Sequence, residues 1–142
     1  MPALVDTNIL VYRFDPRFPE KQDRADDLLR KSIADGEARL SHQAIVEFVA
    51  ATSRPIGKAN PLLSPTDSRR EAEELLSQFD VLCANDALVR LALRGAAAYQ
   101  LPWFDAHMWA YAEYFGCEIL WSEDFQHERS YGTVTTIDPF RD

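Results

Sequence analysis

Short apolar runs of strand length alternate with longer amphipathic segments along the whole chain, and that alternation leaves few architectures open. Ala3-Leu4-Val5 reads as a buried strand ending at Asp6. Asp6-Thr7-Asn8 then offers helix N-cap oxygens, and Ile9 to Tyr12 continues as the first helical turns. After Pro16 and Pro19 comes a charged helix, Glu20 to Asp35, with Ala25, Leu28, Leu29 and Ile33 on one face and Gly36 as its stop. Ala38-Arg39-Leu40 is a short second strand. A helix starting at Ser41 or His42 runs to about Ser53 with Ile45, Phe48, Val49 and Thr52 inward.

The stretch Arg54 to Pro65 carries Pro55, Gly57, Pro61 and Pro65 and reads as a loop excursion. Thr66 to Gln78 is the next helix and Phe79 to Cys83 a third strand. Asn85 or Asp86 caps a helix with Leu88, Leu91, Ala92 and Ala96 on its core side. Beyond Pro102 lies an apolar helix, Phe104 to Phe115, closed by Gly116. Cys117 to Trp121 is a fourth strand and Thr133 to Ile137 a fifth. Strands alternating with helices predict an α/β domain: a mainly parallel sheet of about five strands sandwiched by helices on right-handed crossovers.

At 142 residues the chain fits one domain, residues 1–142, with a core that needs no covalent staples. Cys83 and Cys117 sit in apolar runs without a CxxC or Cys/His spacing, which points away from zinc and toward buried, reduced thiols. The N-terminus meets an acid at Asp6 before any long apolar stretch, and no run approaches the ~20 residues of a membrane helix. The expectation is a soluble, cytoplasmic protein without a membrane partner. A net charge of -8 argues against static binding to nucleic acid, which needs a basic footprint. It leaves open a nuclease that meets phosphate through a cation.

The acids are the most informative residues. Ligands of open parallel sheets bind beyond the carboxyl ends of the strands. Asp6 follows strand one and Asp124 follows strand four, so both belong on that rim. Asp105 opens the helix that leads back to strand four, and Glu47 lies early in the helix after strand two. Both are expected at the same rim. Each has a bland reading alone: Asp6 as a helix cap, Glu47 as a solvated side chain, Asp105 as a complement to a helix dipole, Asp124 as a turn residue. Together, packed carboxylates repel one another unless a cation neutralises them. All-oxygen ligands select hard ions, so Mg²⁺ or Mn²⁺ is expected, and the chemistry such a site supports is phosphodiester hydrolysis.

At these residues the sequence resembles the PIN-domain nucleases, and in particular the VapC-type toxins of toxin–antitoxin modules. The matching segments are Leu4-Val5-Asp6-Thr7-Asn8-Ile9-Leu10-Val11-Tyr12, Gln43-Ala44-Ile45-Val46-Glu47-Phe48, Trp103-Phe104-Asp105-Ala106 and Ile119 to His127, in order, with acids 41, 58 and 19 residues apart. The loop Asn60 to Pro65 and the ending Ile137-Asp138-Pro139-Phe140 resemble one branch of that family. The resemblance implies metal-dependent cleavage of single-stranded RNA. It implies Asp6, Glu47 and Asp105 as direct or water-mediated metal ligands, with Asp124 completing the pocket. It implies Thr7, Asn8 and Ser122 as residues that orient those carboxylates, and a homodimer inhibited by a small antitoxin. Three positions depart from the usual pattern: His107-Met108 stands in place of aliphatic residues, Glu128-Arg129 where glycine is frequent, and Asp138 for a frequent Asn.

Other residues carry blander expectations. Glu123 is expected to point away from Asp124, and His127 to stabilise a turn. His107, Tyr111 and Tyr114 share a helical face read first as core and second as an interface. Arg54, Lys58, Arg69 and Arg70 read as solvated surface, and Trp109 and Trp121 as core. Three other phosphate-handling or nucleotide-binding α/β folds fit poorly: the haloacid-dehalogenase pattern needs Asp where Asn8 stands, no receiver-type acidic pair with a placed Lys is present, and Asp6-Thr7-Asn8-Ile9 is not a glycine-rich turn. The main alternative to a ribonuclease is a catalytically silent domain of the same family that acts by binding protein.

Overall fold

The computed structural model describes Met1–Asp142. Six strands, β1 (Ala3–Val5), β2 (Ala38–Ser41), β3 (Asp80–Leu82), β4 (Ile119–Trp121), β5 (Ser130–Tyr131) and β6 (Val134–Ile137), form one sheet in the order β3-β2-β1-β4-β6-β5. Every pairing is parallel except β5 with β6. Six helices, α1 (Thr7–Tyr12), α2 (Pro19–Asp35), α3 (His42–Ser53), α4 (Pro65–Gln78), α5 (Asp86–Tyr99) and α6 (Trp103–Tyr114), fill the connections and flank the sheet. This is the expected α/β architecture. No helix is long and apolar enough to cross a membrane.

The all-apolar β1 is wholly buried, as a central parallel strand requires. From β1 the chain passes to β2 on one side and later returns through β4 on the other. The two strands on either side of that reversal splay their following loops apart and open a crevice past their carboxyl ends. Helix boundaries follow local chemistry. Ser41, Ser64 and Asn85 each accept a backbone N–H of the first turn of α3, α4 and α5. Gly36 ends α2 in the left-handed region at φ 72°.

Four expectations are corrected. Cys83 is exposed, because β3 is an edge strand that stops pairing at Leu82, whereas Cys117 is buried as expected. The sheet has a sixth strand beyond the five expected, the two-residue β5: it is a hairpin arm, turned at Gly132-Thr133 and latched by Glu113, which accepts the Thr133 backbone N–H and hydroxyl. The buried face of α5 is Leu88, Ala92 and Gly95, with Ala96 only half-buried. Trp121 is half-buried, while Trp109 is in the core and donates its indole N–H to the Tyr131 carbonyl at 2.9 Å. Glu128, one of the positions where glycine is frequent, sits at φ 62°, a conformation that costs a side chain roughly 1–2 kcal/mol.

Candidate active site

Asp6 stands at the switch between β1 and β4, its backbone N–H bonded to the Trp121 carbonyl at 2.9 Å. It is also the N-cap of α1: one carboxylate oxygen accepts the Thr7 N–H at 2.7 Å. The other accepts the Ser122 hydroxyl at 2.6 Å. Capping and site roles therefore use different oxygens of one side chain that is 5% exposed. Ser122, fully buried just after β4, is the hub of this corner. Its oxygen also accepts the Asp124 N–H at 3.1 Å and the Asn8 amide at 3.4 Å, and the same amide donates to the Asp124 carboxylate at 3.1 Å.

Glu47 lies in the second turn of α3. One oxygen accepts both the Thr7 hydroxyl at 2.8 Å and the amide of Gln43, one turn earlier, at 3.2 Å. Gln43 also donates to the Phe104 carbonyl at 3.3 Å, tying α3 to the start of α6, where Asp105 occupies the first turn. Asp6, Glu47, Asp105 and Asp124 line one cavity of about 490 Å³ together with Thr7, Asn8 and Gln43. Tyr12, Asp15, Arg17, Phe18, Arg54 and Glu123 also line it.

Electrostatics in the cavity are unfavourable to the carboxylates as ions. Burial pushes Asp6 up from 3.8 to about 7; the Ser122 hydrogen bond opposes this, and the charges of Asp124 and Asp105 add to it. Burial, Asp124 and Glu47 push Asp105 up to about 6. Both acids thus hold their protons more tightly when folded than when unfolded. The stability this gives is complete below about pH 4 and is lost as pH rises toward about 7. In chelator, thermal unfolding midpoints are therefore expected to fall between about pH 5 and about pH 8. A midpoint that rises over that interval contradicts this electrostatic picture. Asp15 and Asp26, whose carboxyls are held below the usual range by Arg17 and Arg30, titrate at lower pH and do not mask the effect.

The donor set fits a hard divalent cation: carboxylate oxygens from four distant segments, two of them destabilised as ions by burial and by neighbouring carboxylates. Asn8 Oδ1 is a further oxygen here, buried and without a hydrogen-bond partner. No three of the acidic, histidine or cysteine side chains close around a single point at ligand distance, so loading such an ion involves rotamer adjustment.

The structure also places residues the sequence reading set aside or missed. Glu123 turns from the acids to accept the Tyr12 hydroxyl at 2.6 Å and the Lys21 ammonium at 2.8 Å. His127 accepts the Asp138 N–H at 3.0 Å, a turn contact. Arg54 lies exposed on the cavity rim, whereas Lys58, Arg69 and Arg70 are solvated. Tyr111 is buried, and Tyr114 is exposed and hydrogen-bonded to Asn85. His107 is half-buried along a second groove that shares Gln43, Glu47 and Phe104 with the acidic cavity and continues past His42, Val46 and Trp103. Gln43 was legible in principle, since it stands one helical turn before Glu47. Asp15, Arg17 and Phe18 had no such signal.

The sequence matches the family model of the PIN domain over residues 3–132. The chain belongs to the PIN-domain family. PIN domains are generally nucleases. Among curated proteins none matches the chain significantly. Solved structures of similar fold include a toxin–antitoxin complex from Klebsiella pneumoniae, 19% identical with a TM-score of 0.68, covering 96% of this chain and 97% of that one. DNA-bound VapBC from Salmonella typhimurium is 12% identical with a TM-score of 0.70, covering 98% of both chains. The Sarcin-Ricin loop cleaving toxin VapC20 of Mycobacterium tuberculosis is 14% identical with a TM-score of 0.61, covering 86% of this chain and 89% of that one. At these identities the likeness is one of fold.

Proposed function

We propose that this PIN domain, read as one unit over residues 1–142, is a divalent-metal-dependent endoribonuclease, acting as the toxin of a toxin–antitoxin pair. One observation carries the reading: four carboxylates from segments far apart in sequence line one cavity, where burial and mutual repulsion leave two of them poorly stable as ions. Asp6, Glu47, Asp105 and Asp124 would hold Mg²⁺ or Mn²⁺. When bound, the ion supplies Lewis acidity toward phosphate and a water acidic enough to act near neutral pH. Ser122, Thr7 and Asn8 fix the carboxylates of Asp6, Glu47 and Asp124 through the hydrogen bonds described above. An RNA substrate is supported by the similar Sarcin-Ricin loop cleaving toxin, and an antitoxin partner by the similar toxin–antitoxin complexes. A homodimer in the cytoplasm completes the proposal.

A second reading, a silent PIN domain that only binds protein, is favoured by the exposed aromatic groove beside the cavity. Cleavage of defined single-stranded RNAs in Mg²⁺, Mn²⁺ or chelator separates the two. The nuclease reading expects cleavage that stops in chelator. It also expects Mn²⁺ to raise the thermal midpoint, by about 2.7 kcal/mol of stabilisation at a hundredfold excess over Kd. No cleavage and no shift at saturating metal leave the silent reading.

A further inference from the structure

Resting on the nuclease reading, we propose that Phe18 and Arg17 form a nucleotide clamp at the rim of the acidic cavity: Phe18 stacks an unpaired base of the RNA strand, Arg17 takes an adjacent phosphate, and buried Asp15 positions Arg17. The three residues belong to the turn between α1 and α2, and all line the cavity. Asp15 is 2% exposed, yet both its carboxylate oxygens are committed to Arg17: Oδ1 accepts the backbone N–H at 3.1 Å and Nε at 2.9 Å, and Oδ2 accepts Nη2 at 2.8 Å. Burying a carboxylate is costly unless it is well paired. Here the partner is a half-exposed guanidinium two residues away, so the pair ties no distant elements together. Its structural effect is to fix one half-exposed cationic plane in the lining of the cavity, held by Nε and Nη2.

Phe18 beside it is 43% exposed. It is the N-cap residue of α2 but makes no side-chain cap bond, so helix formation does not account for its ring. The ring is held in place. Tyr12 meets it edge-on at 5.7 Å, and the Tyr12 hydroxyl is tied to Glu123. The Arg17 guanidinium lies 5.4 Å from its centroid. Lys21, 5.7 Å away, is already paired with Glu123. A held aromatic ring with a planar guanidinium over it offers a flat, cationic stacking surface that suits a base and its phosphate. In a chain of net charge -8, Arg17 and Arg54 are the two cations lining a cavity otherwise rich in acids, which favours a polyanion that brings its own cation over an acidic peptide.

The test uses the full chain and a single-stranded RNA oligonucleotide carrying the fluorescent base pyrrolocytosine. Binding is followed by quenching in Ca²⁺, cleavage by initial rates in Mn²⁺, and folding of each variant by its thermal midpoint. Phe18→Ala is expected to raise KM about tenfold with a smaller effect on kcat and to abolish most quenching, and Phe18→Trp to restore both. Arg17→Gln is expected to lower the slope of log affinity against log salt by about one. Asp15→Asn should weaken binding as Arg17→Gln does, with no further loss when the two are combined. Equal KM and quenching for Phe18→Ala and wild type overturn the clamp, as does equal affinity for a duplex, whose bases are not free to stack. Phe18-dependent quenching without any turnover supports the clamp and overturns hydrolysis instead. Quenching reversed only by a basic peptide, and insensitive to Phe18, overturns the clamp in favour of a protein ligand.

Discussion

Asp6→Asn is expected to lower metal-dependent RNA cleavage at least about a hundredfold, and Asp105→Asn to do the same, with neither variant unfolded. Asparagine is as good an N-cap as aspartate, so the bond to the Thr7 N–H survives. The Ser122 hydroxyl can rotate to accept where it now donates, giving up only its long 3.4 Å bond from the Asn8 amide, which keeps its bond to Asp124. What disappears is a buried charge whose carboxyl titrates near 7 rather than 3.8, a difference on the order of 4 kcal/mol in favour of the neutral form. In chelator at about pH 8 the Asp6→Asn midpoint should therefore equal or exceed that of wild type, while its shift with Mn²⁺ is lost. Activity assays and thermal melts on the same preparations check both halves. Retained cleavage removes Asp6 from the mechanism, and a midpoint well below wild type shows that its charge was structural.

The largest expected effect on stability lies away from the acids. Gly95→Ala should destabilise the fold by about 1–3 kcal/mol, and Gly95→Val by more. A Cβ at position 95 falls 2.3 Å from Cζ3 and 2.6 Å from Cε3 of Trp109, distances no real contact sustains. Trp109 is 3% exposed, donates to the Tyr131 carbonyl and meets Tyr99 edge-on at 5.4 Å, so it does not swing aside freely. Alanine gains about 1 kcal/mol of helix propensity, too little to offset overpacking of about 1–3 kcal/mol or more together with a strained hydrogen bond of about 1 kcal/mol. The expected fall in thermal midpoint is about 3–10 °C. A Gly95→Ala protein that melts at or above wild type shows that α5 and α6 separate at little cost.

Gly95 also marks where periodicity stops being informative. A helical pattern places Leu88 and Ala92 inward, but glycine carries no hydropathy that distinguishes a tight helix crossing from a surface break. Only the position of the Trp109 ring makes it a packing residue. Cys83 is the converse. Its apolar neighbours suggested burial, yet whether a strand is central or at an edge is a property of strand order, and β3 is an edge. The two residues of β5 are too few for any alternating pattern and exist because β6 is there to pair with.

The site divides in the same way. Asp6 after an apolar strand, Asp124 after another and Asp105 at a helix start were readable, because strand direction in a parallel sheet decides which ends share a rim. Gln43 as the neighbour of Glu47 follows from helical spacing alone. The turn at Asp15-Pro16-Arg17-Phe18 carried no pattern that separates it from an ordinary charged loop. Its carboxylate is buried, and its arginine and phenylalanine line the same cavity as the acids, through the packing of α1 and α2.

The sequence by itself determined the α/β class, the sheet's parallel character and the set of acids, since period, capping and strand direction are local or nearly so. Tertiary structure alone decided how closely those acids approach, which of them resist ionisation, and what stands at the cavity's rim. Those are matters of distance and of exclusion of water between segments as far apart as Asp6 and Asp124. Desolvation and Coulomb repulsion have no value until the fold has set both.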